Sequence, residues 1–429
     1  MARYLLVAGI DLGTSFTKVV LRDNNTPGQS ALAVTFSHFS DGLLPSIVYS
    51  DGTRLFPPAP EAAQPGIPYL KMLAAHMSNG NGLHDGHPLR IPEIMQTLCA
   101  DKDSLSVVQS LLAYYFAVVI TEVEAFVRSS TRWSDFDSSG NSEDHFVYQL
   151  AVPTGLLGSG VTEKFFRDAL VASYELRSVV ASDPHHSVVV SEWIAQVEKV
   201  LSEDPATLHE RHKWRCLIYP EVAAAVQTVF RSPNARDGLY ITMDVGAGTV
   251  DLNAFRRHTD ETKTHLCYYS ARVSPLGSQN LVDPHQMVAQ RRRASELMED
   301  LREELCALFR QALRFQPNHG TARGQRTWDR ATLYLFGGGA AMDFYGRGFI
   351  DGMSRAGIFE PRSLSLPSAR DLTKPAQTDF GRFAVAYGLS FFKPSLDNVQ
   401  LPGEILPFRE LCPPDESEPP RQYGFNWED

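Results

Sequence analysis

The chain has 429 residues, of which 43% are hydrophobic, 21% charged and 10% aromatic, with a formal charge of −10. That composition supports substantial cores and excludes a disordered, collagen-like or disulfide-miniprotein chain, while the length predicts roughly two to four domain-sized units. Fifty acidic against forty basic residues repel nucleic acid and anionic membrane in bulk, so neither is an expected partner. Five scattered cysteines (Cys99, Cys216, Cys267, Cys306, Cys412) form no C-x-x-C and predict reduced thiols in a cytoplasmic protein. No segment has a signal-peptide pattern, because Asp11 interrupts the apolar run Tyr4–Ile10. The longest apolar run, Leu111–Ile120, is too short by itself for a bilayer.

In chain order, Tyr4–Ile10 and Val19–Leu21 flank the turn-prone Asp11-Leu12-Gly13-Thr14-Ser15 and predict a hairpin. Ser46–Tyr49 reads as a short strand closed by Asp51-Gly52. From Pro57 to Pro92 prolines and glycines predict loop, apart from an apolar patch at Tyr69–Leu73. Leu105–Phe126 has helical spacing. Thr131–Asp144 reads as a polar, mobile insert. A strand at Phe146–Val152 leads into Pro153-Thr154-Gly155 and a helix from about Val161. Ser191 is placed to cap another helix, and Pro220 suits the first turn of a helix over Glu221–Phe230. Leu239–Val245 and Val250–Phe255 predict a second strand-turn-strand. Ala294–Leu313 carries a long amphipathic stripe. Leu333–Phe336 reads as a buried strand ending in Gly337-Gly338-Gly339, and Phe380–Phe392 is the last periodic stretch. Seven prolines among the final 36 residues predict an irregular tail.

An internal repeat carries the chemistry. Ile10-Asp11-Leu12-Gly13-Thr14-Ser15 matches Met243-Asp244-Val245-Gly246-Ala247-Gly248 in type: apolar strand, Asp, apolar residue, Gly, small residues. The distance between copies is too long for a solenoid and predicts two halves of a duplicated α/β fold sharing a cleft. Small residues in each turn let backbone N–H groups reach phosphate oxygens, and Thr14, Ser15 and Thr249 add hydroxyl donors. An Asp at each strand end can hold waters of Mg²⁺, which keeps most of its hydration shell. Gly337–Gly339 offer a flat backbone surface for a nucleoside. A P-loop is excluded because Gly13–Lys18 lacks its Gly-Lys-[Ser/Thr] ending. A dinucleotide fingerprint fails because Asp251 stands where its third Gly belongs.

These residues resemble the actin, heat-shock-chaperone and sugar-kinase superfamily of ATPases. Gly9–Ser15 looks like its first phosphate motif, Asp244–Asp251 like its second, and Leu335–Gly339 like its adenosine motif. Four further stretches (Leu44–Val48, Ala151–Gly155, Pro220–Ala225 and Ala384–Gly388) resemble the seventy-kilodalton heat-shock chaperone branch, in the family's order. The resemblance implies a two-lobed actin-like ATPase fold, made of duplicated ribonuclease-H-like domains around a nucleotide cleft. It implies a first lobe over 1–235 with a returning helix at 379–393, a second lobe over 236–378, and a Pro-rich tail over 394–429. ATP or ADP with Mg²⁺ would occupy the cleft. By analogy Asp11, Asp244 and Asp251 sit on the metal's water shell. Gly13, Thr14, Ser15, Gly246, Ala247, Gly248 and Thr249 contact phosphates, and Gly337, Gly338 and Gly339 face adenosine. Lys71 is the candidate for the family's first-lobe lysine, although its position alone reads as solvent-facing. Hydrolysis of ATP to ADP and phosphate would be in-line attack of a water, driven by positioning and charge neutralisation.

Three departures temper the implied turnover. The family's lobe-linking helix opens Glu-Pro, and its Glu aids metal and water; Tyr219 stands there, with Glu221 two positions on as the remaining candidate. The second lobe's Gly-Gly-x-Asp reads Gly277-Ser278-Gln279-Asn280. An Arg that packs on adenine is replaced by Ala341. From the length, the expectation is an ATPase unit without the branch's peptide-binding domain and lid. The expectation is a weak ATPase acting as a nucleotide-dependent conformational switch, with an unidentified protein partner. The alternatives are a degenerate nucleotide-binding scaffold, a filament-forming ATPase and a small-molecule kinase. The pairs His84/His87, His185/His186 and His209/His212 lack metal-site context and read as solvated, and Arg291–Arg293 read as part of a salt-bridged helix face.

Overall fold

The structure, a computed structural model, describes residues 3–26, 28–78, 92–137, 144–154, 160–183, 185–232, 235–261, 263–282, 294–315, 328, 331–358, 361 and 363–404. His84, His87, Arg291–Arg293, Cys412, Gly155 and most of the Pro-rich tail lie outside them. The first strands are β1 (Leu5–Leu12), β2 (Phe16–Asp23), β3 (Ala31–Ala33), β4 (Leu44–Pro45), β5 (Val48–Ser50), β6 (Arg54–Phe56) and β7 (Gly66–Ile67). Then come β8 (His145–Val152), β9 (Val188–Val189), β10 (Cys216–Pro220), β11 (Gly238–Val245), β12 (Val250–Thr259) and β13 (Thr264–Ser274). The last are β14 (Thr332–Phe336), β15 (Ser363–Ser365), β16 (Leu372–Thr373) and β17 (Asn398–Gln400).

The chain is mixed α/β, and its two larger sheets repeat one topology. The first runs β10-β8-β1-β2-β3-β16, with β4 paired to β2; the second runs β15-β14-β11-β12-β13-β17. In each, the first two strands form an antiparallel hairpin and a third continues it. Two later strands then add in parallel beyond the first. Each path ends in a short strand parallel to the third. Parallel additions need crossovers, which the long helices between β8 and β10 and between β13 and β14 provide. A third, small sheet, β7-β5-β6-β9, belongs to the first half.

The first core surrounds the helix Ser104–Ser129, whose N-cap Asp103 accepts the Ser106 N–H at 3.0 Å. Residues 107 and 108 and every residue from 110 to 121 are buried in it, as expected of a helix apolar on all sides. Among the described residues it is long and apolar enough to cross a membrane, with mean hydropathy 1.7 in its central window, 78% of which is buried inside the protein. Trp193 anchors it by donating to the Ser110 carbonyl at 2.8 Å. A second core lies under the helix Ala294–Leu313. Between them an apolar seam joins Val222–Val226 to Phe383–Ala386. There Gly388 is required by close approach, since a Cβ would stand 1.8 Å from the Ala224 carbonyl oxygen.

Several expectations are corrected. The 57–92 stretch is not simply loop: Leu70–Ser78 is a helix, entered through Tyr69 at φ 59° and burying Leu70, Lys71, Leu73, Ala74 and Met77. The predicted insert holds a 3₁₀ turn at Thr131–Trp133 with Trp133 buried; residues 138–143 lie outside the described ones. Ser191 is not a cap, because the helix Val190–Leu201 starts before it from Val189. Pro220 precedes rather than opens its helix, which breaks at Val226 into Glu221–Ala225 and Gln227–Phe230. Strand β13 occupies a stretch for which the sequence pattern predicts no element. Strand β16 joins the first sheet, and β17, in the stretch read as an irregular tail, joins the second.

Candidate functional site

The β1–β2 hairpin turns tightly because Gly13 donates to the Asp11 carbonyl at 3.1 Å, and a Cβ on Gly13 would meet the Phe16 carbonyl oxygen at 2.5 Å. The β11–β12 hairpin closes through Gly246 N–H to the Thr249 carbonyl at 2.8 Å. A third segment buttresses it: the N–H groups of Gly277, Ser278 and Gln279 donate to Gly248, Gly246 and Ala247 carbonyls at 3.1, 3.0 and 2.9 Å. Gln279 then reaches across to the first hairpin, its Nε2 donating to Ser15 Oγ at 2.9 Å. The repeated turns therefore face each other.

Between them lies a cleft of about 380 Å³. All the candidate residues line it except Gly248 and Gly339. Gly248 is covered by Gly277, whose Cβ would come within 2.4 Å of its carbonyl carbon, and Gly339 packs on Val245. Gly337, at φ 92°, must be glycine: a Cβ would stand 2.2 Å from Asp244 Oδ1.

Asp11, Asp244, Asp251 and Glu221 bring four carboxylates to the cleft, with Lys71 and Lys18 as the neighbouring ammonium groups. Lys71 is buried rather than solvent-facing, its Nζ 2.5 Å from Glu221 Oε1. Lys18 Nζ lies 2.7 Å from Asp11 Oδ2. Burial alone would push Lys71 down, yet the charges of Glu221, Asp251 and Asp11 hold its pKa raised. Burial pushes Glu221 up to about 7 against the opposing field of Lys71, with Asp251 and Asp11 adding to the rise. Asp244 is raised well above its ordinary value by burial and then by Glu221, Asp251 and Asp11. Asp251 is raised as well, by burial first, against Lys71 and a 3.3 Å hydrogen bond from Thr249. Glu221 Oε2 and Asp251 Oδ1 are buried acceptors with no partner among the described residues.

Sequence reasoning missed Lys18, Gly381, Arg382 and Val385, all of which line the cleft. A signal for Lys18 existed, because Asp11 and Lys18 sit directly opposite in the hairpin register. Gly381, Arg382 and Val385 fall in the periodic Phe380–Phe392 stretch, whose Ala384–Gly388 motif marked a resemblance without marking these side chains as cleft-lining. Tyr219, at the family's Glu position, is turned to other use, its hydroxyl donating to the Asp397 carbonyl at 2.9 Å. His212 is buried rather than solvated, with Nε2 2.6 Å from Glu175 Oε1. Among the described residues no three His, Cys, Asp or Glu side chains converge as a direct metal-ligand set. No protein-family model matches the chain, and no curated protein matches it.

Proposed function

We propose that the chain is an ATP-binding protein with a two-lobed, actin-like and heat-shock-chaperone-like architecture, a weak ATPase that works as a nucleotide-dependent switch. The observation that carries this reading is the pair of small-residue hairpins, one from each of two sheets of like topology, facing each other across a carboxylate-lined cleft.

The donor set fits a magnesium nucleotide. Turns of glycine and small residues present N–H groups and hydroxyls to phosphate oxygens without Cβ obstruction. Asp11, Asp244 and Asp251 would hold the ion through its waters. The unpartnered Asp251 and Glu221 oxygens are acceptors awaiting water or hydrated ion. When bound, the ion supplies charge neutralisation at the phosphates. Lys71 and Lys18 add positive charge beside them, and Glu221 can hold a water at the terminal phosphate. Motion of the two halves about the Gly388 seam would convert nucleotide state into shape.

The test is calorimetry of Mg·ATP with the full chain and its Asp11→Ala and Asp244→Ala variants, together with phosphate release. Binding by the wild type and its loss in both variants is the expected result. Equal behaviour of all three proteins would overturn the reading. Binding with no turnover above the Asp244→Ala control would favour the scaffold alternative, which the Ser278 and Ala341 departures support.

A further inference from the structure

The two lysines of the cleft are each held by a carboxylate, Lys71 by Glu221 and Lys18 by Asp11. Arg382 is different. It ends the 3₁₀ turn Phe380–Arg382, is half-buried and lines the cleft, and its guanidinium has no hydrogen-bond or ion-pair partner among the described residues. The turn itself is well held, with Asp379 accepting the Gly381 N–H at 2.9 Å. It leans on the glycine turn of the second half: a Cβ on Gly381 would lie 3.8 Å from the Gly337 carbonyl oxygen. A Cβ on Gly338 would lie 3.8 Å from Arg382 Nε and 3.9 Å from its Cγ, so the arginine stem runs over bare backbone.

The order along this wall is therefore Asp244, Gly337, Gly338, Arg382, with Val385 close in sequence and also facing the cleft. Phosphates and their cation belong at the carboxylate and hairpin end. What remains of a nucleotide extends over the glycine turn toward the arginine. A half-buried guanidinium with no partner has lost part of its hydration without compensation. It is planar and weakly hydrated, and it gains most by stacking on an aromatic face. We infer that Arg382 is the base-recognition residue of the cleft, its guanidinium stacking on the heterocyclic base of a nucleotide whose phosphates lie between the hairpins. The inference rests on the nucleotide-binding reading above and adds to it a contact from an element distant in sequence from both phosphate turns.

The experiment compares Mg·ATP with Mg·tripolyphosphate, which keeps the phosphates and lacks the base, by calorimetry on wild type, Arg382→Ala and Arg382→Lys. Arg382→Ala is expected to weaken ATP binding about 5- to 30-fold and to leave tripolyphosphate unchanged. Arg382→Lys keeps the charge but not the plane, and is expected to restore only part of the loss. Unchanged ATP affinity in both variants would overturn the inference while leaving the nucleotide reading intact. Equal losses for the two ligands would also overturn it, because the cation would then act on phosphate. Wild type binding neither ligand would sink the nucleotide reading and this inference with it.

Discussion

Lys71 Nζ lies 2.5 Å from Glu221 Oε1 in the interior of the cleft, although 150 residues separate them in sequence. The pair sits in a field of excess negative charge, with Asp11 and Asp251 close enough to act on it. Those carboxylates hold the lysine cationic against its burial, whereas Glu221, Asp244 and Asp251 resist ionisation through burial first, with neighbouring negative charge adding to it. The surplus also makes the cleft a place where an added cation is favoured.

Lys71→Met is expected to leave a buried carboxylate unpaired and to cost about 3–5 kcal/mol, unless Glu221 takes up a proton. Adding Glu221→Gln should recover most of that loss, since two neutral groups of similar size carry no uncompensated charge. Urea unfolding midpoints of the two single variants and the double variant measure the coupling. Additive losses would show that the pair is not energetically linked.

The pH dependence has a definite sign. Glu221 stands at about 7 in the folded chain against an ordinary 4.5, so the folded state keeps a proton that the unfolded state releases. Its contribution to stability is fully present below about 4.5 and is lost as pH rises through about 7. Asp244, also raised, acts in the same direction. Metal-free protein is therefore expected to melt at a lower temperature at pH 7.5 than at pH 5.5, and Glu221→Gln should flatten the difference. A melting temperature that rises over this interval in wild type would contradict the assignment.

Burial and then the charges of Glu221, Asp251 and Asp11 favour the protonated form of Asp244, so Asp244→Asn substitutes a neutral amide for a carboxyl already disfavoured as an anion. The expected outcome is a change in stability of about 1 kcal/mol or less together with loss of Mg·ATP binding. Thermal melts and calorimetry on one preparation read both quantities.

Gln279 Nε2 donates to Ser15 Oγ across the cleft, which positions the hydroxyl and leaves its O–H free to donate to a phosphate oxygen. Gln279→Ala and Ser15→Ala are therefore both expected to weaken ATP binding, each by about 1 kcal/mol. A titration in which Gln279→Ala tightens binding would refute this positioning role.

Gly388→Ala drives a methyl into the Ala224 carbonyl at the apolar seam. The expected loss is about 1–3 kcal/mol or more, seen as a lower urea midpoint.

Residues 105–126 and 294–313 show their helices by spacing, and the two small-residue turns show themselves as a repeat. Those features are local: a helix stripe or a hairpin turn is encoded within a few residues of itself. By itself the amino-acid order thus determined the strand-turn-strand units, the long helices and most residues that line the cleft. Lys18 was missed, although it stands opposite Asp11 in the hairpin register. The remainder was decided only when the chain packed. Burial of Lys71 against Glu221, the reach of Gln279 to Ser15, the placement of Arg382 over Gly338 and the pairing of β16 and β17 all join segments far apart in sequence. Their side chains carry no periodicity that names the partner. Closure of the two sheets and the seam between them brings each pair into register, and the electrostatics of the cleft follow from that geometry.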